Sequence, residues 1–213
     1  MKKNSTIIAL ILVSIMALSA MTGCAAEPKT TRMEAEYAKI TDGRLDMKEG
    51  GVVSNDYFVV PNGGFKFEDL LPINVTFDFK ADKAADATIR VAVMSANTFG
   101  NEFDLSDGDY LFYLNGTKLG VPTKVLDYQG DPTTTIPKED FTEGTCLVYF
   151  LYENVKLNAG DNSFAWKYET GNGAFKLDYV EIETTTNISW TEDHALVDSY
   201  DPNNFDFGGF GGK

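Results

Sequence analysis

The 213-residue chain has one histidine, His194, and two cysteines, Cys24 and Cys146. So few nitrogen and sulfur ligands leave zinc without a coordinating set. The lone histidine lies near the C-terminus beside Asp193, so the body of the chain cannot assemble a Ser-His-Asp arrangement. Two cysteines build no disulfide framework, and Cys146, next to the apolar run Leu147–Leu151, reads as a small buried hydrophobe. No glycine-rich phosphate loop is present: Gly171-Asn172-Gly173 is too short and leads into a β-type run rather than a helix. Basic residues are scarce, 18 against 32 acidic, for a net charge of −14. That charge disfavours nucleic acid and anionic lipid headgroups as ligands and favours cations. A glycosidase needs a carboxylate pair, but among 32 acidic residues pairs arise by chance. The chain is therefore expected not to be an enzyme. No apolar run reaches the roughly 20 residues of a permanent membrane helix, and neither an internal repeat nor a sustained helical period is found.

The N-terminus has a short positive region, Lys2-Lys3, then an apolar run from Ile7 to Leu18, then Met21-Thr22-Gly23-Cys24. Charge, length and order are those of a secretory signal, and the last four residues resemble a bacterial lipobox. The resemblance implies that residues 1–23 are a removed signal peptide and that Cys24 carries a lipid. The chain is then expected outside the cytoplasm, on the cell surface, attached to the membrane through that lipid only. Loss of Lys2 and Lys3 leaves 16 basic against 32 acidic residues, or −16. Acylated Cys24 leaves Cys146 without a disulfide partner.

Residues 24–32 are polar and read as a tether, and the composition changes at Met33. Residues 33–183 are long enough for one domain with its own core. Ile73-Asn74-Val75-Thr76-Phe77-Asp78-Phe79 alternates strictly, and Thr88–Met94 places Ile89, Val91 and Val93 on one side. Tyr110–Leu114 leads to the turn pair Asn115-Gly116 and a return strand at Lys118–Val121, a hairpin signal. Leu147–Leu151 reads as a central strand buried on both faces, and Ser163–Tyr168 and Phe175–Glu183 as the last two strands. Many short strands punctuated by glycine and asparagine predict an all-β fold, a β-sandwich jelly roll of antiparallel strands. Residues 184–213 read as a C-terminal tail in which Trp190, Leu196 and Val197 offer apolar contacts to the domain, while its Gly- and Phe-rich end favours disorder.

Met33-Glu34-Ala35-Glu36-Tyr37-Ala38 opens the domain, and Leu157-Asn158-Ala159-Gly160-Asp161-Asn162-Ser163-Phe164 followed by Gly171–Ile182, containing Leu177-Asp178-Tyr179, closes it. Together with the runs Asp86–Ala96 and Leu111–Gly116, these segments resemble carbohydrate-binding modules of the family 6 and family 35 type. In that family an opening Glu-Ala-Glu strand lies beside a closing Leu-Asp-Tyr strand in a jelly roll. The resemblance implies a structural Ca²⁺ held by Glu34, Glu36 and Asp178 with backbone carbonyls. Elementary chemistry agrees: glutamates two apart on a strand project to one face and repel unless something positive lies between them. Calcium takes six to eight oxygen ligands of this kind. A solvated edge that discourages strand-to-strand aggregation is the other reading of the pair.

The resemblance also implies glycan binding, with two departures. Family members that bind glycans carry an Asn two residues before the closing Asp, where this chain has Lys176. They often place a Trp on the strand that here begins Gly144-Thr145-Cys146, where no aromatic stands. The nearest candidates for ligand contact are Asn97 and Phe99 in one loop, Asn172 and Lys176 around the closing strand, and Trp166. Aromatic faces stack on the apolar side of a sugar ring, and Asn both donates to and accepts from hydroxyls. Trp166 shares a strand face with Phe164, so burial competes with exposure there. The expected function is non-catalytic binding of a polysaccharide by a surface-anchored lipoprotein. The alternative is a surface adhesion or assembly protein that uses the jelly roll, and the Phe-rich tail, for contacts with a protein partner.

Overall fold

A computed structural model describes residues 26–47, 57–61, 72–95, 103–104, 110–136, 147–168 and 175–200. The strands in chain order are β1 Lys29–Glu34, β2 Lys39–Asp42, β3 Arg44–Met47, β4 Tyr57–Val60, β5 Ile73–Ala81, β6 Ala85–Ser95 and β7 Phe103–Asp104. They continue as β8 Phe112–Leu114, β9 Thr117–Lys118, β10 Lys124–Asp127, β11 Thr135–Ile136 and β12 Leu147–Leu157. The last three are β13 Gly160–Tyr168, β14 Phe175–Thr184 and β15 Ile188–Trp190. One 3-10 turn, Ala35–Tyr37, follows β1, and one short helix, α1 Ala195–Ser199, follows β15. Among the described residues the first sheet runs β10-β12-β6-β14-β4-β3 with β1 also on β14, and the second runs β15-β5-β13-β8-β9 with β2 also on β5. All pairs are antiparallel, and the two sheets form a β-sandwich jelly roll.

The alternation read from the sequence is the alternation that packs. Along β5 the odd positions Ile73, Val75, Phe77, Phe79 and Ala81 are buried, while Asp78 and Lys80 are exposed. Ile89, Val91 and Val93 of β6 face them from the other sheet within one hydrophobic core. Aromatic rings fill its centre: Phe112 lies 5.6 Å from Phe164 and 6.2 Å from Phe150, and Tyr110 stacks on Phe150 at 4.3 Å. The Asn115-Gly116 turn is as expected. Both residues have positive φ, 51° and 78°, as a two-residue hairpin that follows the strand twist requires.

The fold is longer at both ends than the sequence reading. Residues 29–32 were expected in the tether but form β1, paired with Glu181–Thr184 of β14. Their polarity belongs to an edge strand whose side chains meet water and opposite charge rather than a core. Residues 184–200 were assigned to the tail but are part of the domain. β15 pairs with β5, and Trp190, Leu196, Val197 and Tyr200 pack against the core. Spaced apolar residues in a polar stretch are a weak periodic signal, and only the docked partner makes them a stripe. Leu147–Leu151, expected to be buried on both faces, buries Val148 and Phe150 in the core. Tyr149 is half-buried on the outer face. Cys24, Cys146 and residues 201–213 lie outside the described residues.

Candidate functional site

The opening and closing segments meet as the resemblance implied. β1 runs antiparallel to β14 until Glu34 stands opposite Tyr179. On its other side β14 pairs with β6, where Leu177 faces Val93 and Tyr179 faces the next residue, Ala92. Asp178 is therefore the extra residue of a β-bulge, a device that re-aims a side chain. It also marks the point where the edge of β14 passes from β4, paired at Leu177, to β1. The 3-10 turn fills that gap and packs against β14, β4 and α1. Glu36 at its centre and Asp178 in the bulge are both 0% exposed. Burying ionised carboxylates costs several kcal/mol each unless an opposite charge or hydrogen bonds offset it.

Glu34 does not share this environment. The chain leaves strand geometry at Ala35, so the two-residue alternation that put Glu34 and Glu36 on one face does not hold. Glu34 is only half-buried and, with Glu181 and Tyr179, favours the charged form of Arg32 against the burial that opposes it. Among the described residues no group of three His, Cys, Asp or Glu side chains is placed to hold a metal ion. Of the three expected calcium ligands, Glu36 and Asp178 are fully buried and Glu34 is half-buried. Their hard oxygens, with the backbone carbonyls of a bulge and a turn, suit calcium.

The outer face of the first sheet carries a fixed charge network. Glu181 accepts from Arg32 at 2.7 Å and from Arg90 at 3.3 Å, and the Arg32 guanidinium lies 3.9 Å from the Tyr179 ring centroid. Burial, then a hydrogen bond with Tyr149, pushes the Tyr179 phenol up. A phenol raised in the folded state contributes no pH dependence below the unfolded value of about 10, and its stabilisation is lost as pH rises through the folded value. Urea midpoints are expected to fall between about pH 10 and about pH 12 in the parent and to fall less in Tyr179→Phe. Equal slopes in the two proteins would show that Tyr179 does not drive the alkaline loss. Lys176 belongs to the same face at the β14–β4 boundary. It is paired with Asp46 at 3.0 Å with its ammonium 5.8 Å from the Phe58 ring centroid, and its side chain is mostly covered.

A shallow cleft of roughly 370 Å³ opens on the outer side of the second sheet. Its lining includes Asp78 and Lys80 of β5, Asp161 and Ser163 of β13, Ser189 of β15 and Asn115 of the hairpin turn. Register brings them together: Ser189 pairs with Lys80, Lys80 with Asp161, and Asp78 with Ser163. Asparagines fix one wall. The Asn115 amide donates to Asn162 Oδ1 at 2.9 Å, Asn115 Oδ1 accepts from the Ser163 amide at 2.9 Å, and Asn162 Nδ2 donates to the Asn158 and Gly160 carbonyls. Lys80 and Asp161, ion-paired at 3.3 Å and exposed, with Asp78, Ser163, Ser189 and the asparagine wall, supply donors and acceptors of the kind a polyhydroxylated ligand uses. Sequence reasoning missed this cleft. The polar half of the β5 alternation was visible, but its alignment with Asp161, Ser163 and Ser189 exists only in the pairing.

Of the expected ligand residues, Asn97, Phe99 and Asn172 lie outside the described residues. Trp166 does not face a ligand. It is 0% exposed, sits across from Val75 and Phe112, and belongs to the core, because its alternation with Phe164 points it inward. The His194 ring lies 4.4 Å from that of Tyr37 between centroids, tilted at 42° beside the buried turn.

No protein-family model matches the chain, and no curated protein does either. Solved structures do. A family 35 carbohydrate-binding module from Clostridium thermocellum aligns at TM-score 0.44 and 13% identity over 72% of this chain and 97% of its own. A second family 35 module, from an environmental isolate, aligns at TM-score 0.45 and 14% identity over 76% of this chain and 97% of its own. The GH26-CBM35 β-(1,4)-mannanase of Podospora anserina aligns at TM-score 0.46 and 18% identity over 75% of this chain. This chain spans 28% of the mannanase.

Proposed function

We propose that this chain binds a polysaccharide without modifying it, displayed on the cell surface by the lipid on Cys24. The observation that carries the reading is the cleft on the second sheet, whose rim of Asp78, Lys80, Asp161, Ser163, Ser189 and Asn115 offers paired acceptors and donors on a rigid sheet face. Each hydroxyl bridged by two such groups exchanges its water contacts for protein ones at a net gain of about 1 kcal/mol. A shallow open face binds one stretch of a long chain rather than enclosing a small molecule. The Asn97–Phe99 loop and Asn172 remain candidates for a second contact with the same polymer. A structural calcium held by Glu36 and Asp178 would supply positive charge at the point where first and last strands exchange, keeping the sandwich closed beneath the cleft. Affinity gel electrophoresis against a panel of neutral, acidic and amino polysaccharides tests the function. The full chain is expected to be retarded by at least one polymer, and Asp78→Ala with Ser163→Ala to weaken that retardation about ten-fold, as the loss of two hydrogen bonds implies. Retardation unchanged in the double variant would remove the cleft as the site, and a panel without retardation would remove the function.

A further inference from the structure

The polar face of the second sheet continues beyond the cleft. Two residues further along β5 and β13, one row of paired residues crosses five strands. Lys39 of β2 stands opposite Thr76, Thr76 opposite Ala165, Ala165 opposite Tyr113, and Tyr113 opposite Lys118 of β9. The chain neighbours of the middle three, Val75 and Phe77, Phe164 and Trp166, Phe112 and Leu114, are buried in the core. The row itself therefore faces outward by alternation. Thr76 and Ala165 are small and make a low floor, with the half-buried Tyr113 ring on one side and the exposed Lys39 on the other. The next outward row sets Lys167 opposite Asn74 and Asn74 opposite Asp42. The Lys167 ammonium lies 4.9 Å from the Tyr113 ring centroid. At a rise of about 3.4 Å per residue the face from Asp161 to Lys167 is about 20 Å long, more than one sugar ring.

Charge is divided unevenly along this face. At the cleft end Asp78 and Asp161 stand with Lys80, which is paired with Asp161 at 3.3 Å. At the Tyr113 end three lysines, Lys39, Lys118 and Lys167, meet one acid, Asp42. In a chain with 18 basic and 32 acidic residues, this end reverses the prevailing sign. Among the described residues no carboxylate forms an ion pair with Lys39 or Lys167, so both ammonium groups are open to a ligand. We propose that Tyr113, Lys39 and Lys167 form a second subsite on the glycan-binding face, one that takes an anionic sugar unit of the polymer through its carboxylate or sulfate. This rests on the polysaccharide reading above and adds the charge class of the ligand. The Tyr113 ring offers an apolar surface to the C–H side of the sugar. The two lysines meet its anion as mobile point charges, while the cleft holds the hydroxyls of a neighbouring unit.

Affinity gel electrophoresis of the full chain reads the charge preference directly. The polymers are polygalacturonate and dextran sulfate, each beside its uncharged counterpart, methyl-esterified polygalacturonate and dextran. At least one charged polymer is expected to retard the chain about ten-fold more strongly than its counterpart, by a margin that shrinks as salt rises. Retardation by polygalacturonate alone assigns the subsite to a carboxylate, by dextran sulfate alone to a sulfate, and by both to either anion. Lys39→Gln with Lys167→Gln should remove most of that margin. Tyr113→Ala should weaken binding about five-fold, and Tyr113→Phe, which keeps the ring, should bind like the parent. Lys124→Gln with Lys156→Gln takes the same charge from β10 and β12 of the first sheet, and should change retardation less than about two-fold. Equal retardation by charged and uncharged polymers, retardation by neutral polymers only, or equal losses in the two lysine pairs would overturn the anionic subsite and leave glycan binding standing. No retardation by any polymer, charged or neutral, removes both.

Discussion

Trp166→Ala is expected to lower the stability of the domain by about 3–5 kcal/mol, the cost of deleting a fully buried large aromatic and leaving a cavity. The indole is 0% exposed and stands between Val75 of β5 and Phe112 of β8, with its ring centroid 6.4 Å from that of Phe112. Phe112 in turn touches Phe150 and Phe164 from both sheets, so the void would lie where the layers interdigitate and the aromatic pairs lock. Against a typical total of about 5–15 kcal/mol for a domain this is about a fifth or more, and the melting temperature should drop by roughly 6–20 °C. Trp166→Phe, which keeps most of the volume, should lose much less. Glycan retardation of the folded fraction should be unchanged in both. A Trp166→Ala protein that melts within about 2 °C of the parent but loses its glycan would return Trp166 to the ligand site.

That contrast shows what the sequence could and could not carry. The sandwich was legible because burial on one face of a strand imposes a period of two, which Ile73–Phe79 obeys throughout and Thr88–Met94 follows except at the buried Ala92. The same rule warned that Trp166 follows Phe164 inward. The edges were not legible. β1 is polar since it borrows its order from Glu181–Thr184 of β14, and of residues 188–200 only Trp190, Leu196 and Val197 pointed to the docking, which also takes in Tyr200. That the opening and closing segments lie side by side was visible only as a resemblance. Treating Glu34-Ala35-Glu36 as continuous strand put both glutamates on one face, whereas the 3-10 turn rotates Glu36 into the interior and leaves Glu34 beside Arg32. The cleft was not legible at all, because three strands distant in sequence contribute to it and only their register aligns Ser189, Lys80 and Asp161.

Thermal unfolding of the full chain in calcium against EDTA is expected to separate Glu36 and Asp178 from Glu34. A ligand that binds only the native state adds about 2.7 kcal/mol at 100 times its dissociation constant, so the parent should melt about 5–11 °C higher in saturating calcium. Glu36→Gln and Asp178→Asn keep the shape but remove a charge from the buried pair, and each should abolish most of that rise. In EDTA the order should invert. Glu36 and Asp178 are both fully buried, and burial of a charged carboxylate is costly, so neutralising either is expected to leave the metal-free protein as stable as the parent or more so. Glu34→Gln should keep most of the calcium response, because its half-buried side chain acts on Arg32 at the outer face. Its own effect should be a small loss in the Arg32–Glu181 network at any calcium level. Equal loss of the calcium response in all three variants would restore the three-carboxylate set. Superimposed melts of the parent in calcium and EDTA, with tightly held metal excluded by elemental analysis, would show that Glu36 and Asp178 are buried for the fold alone.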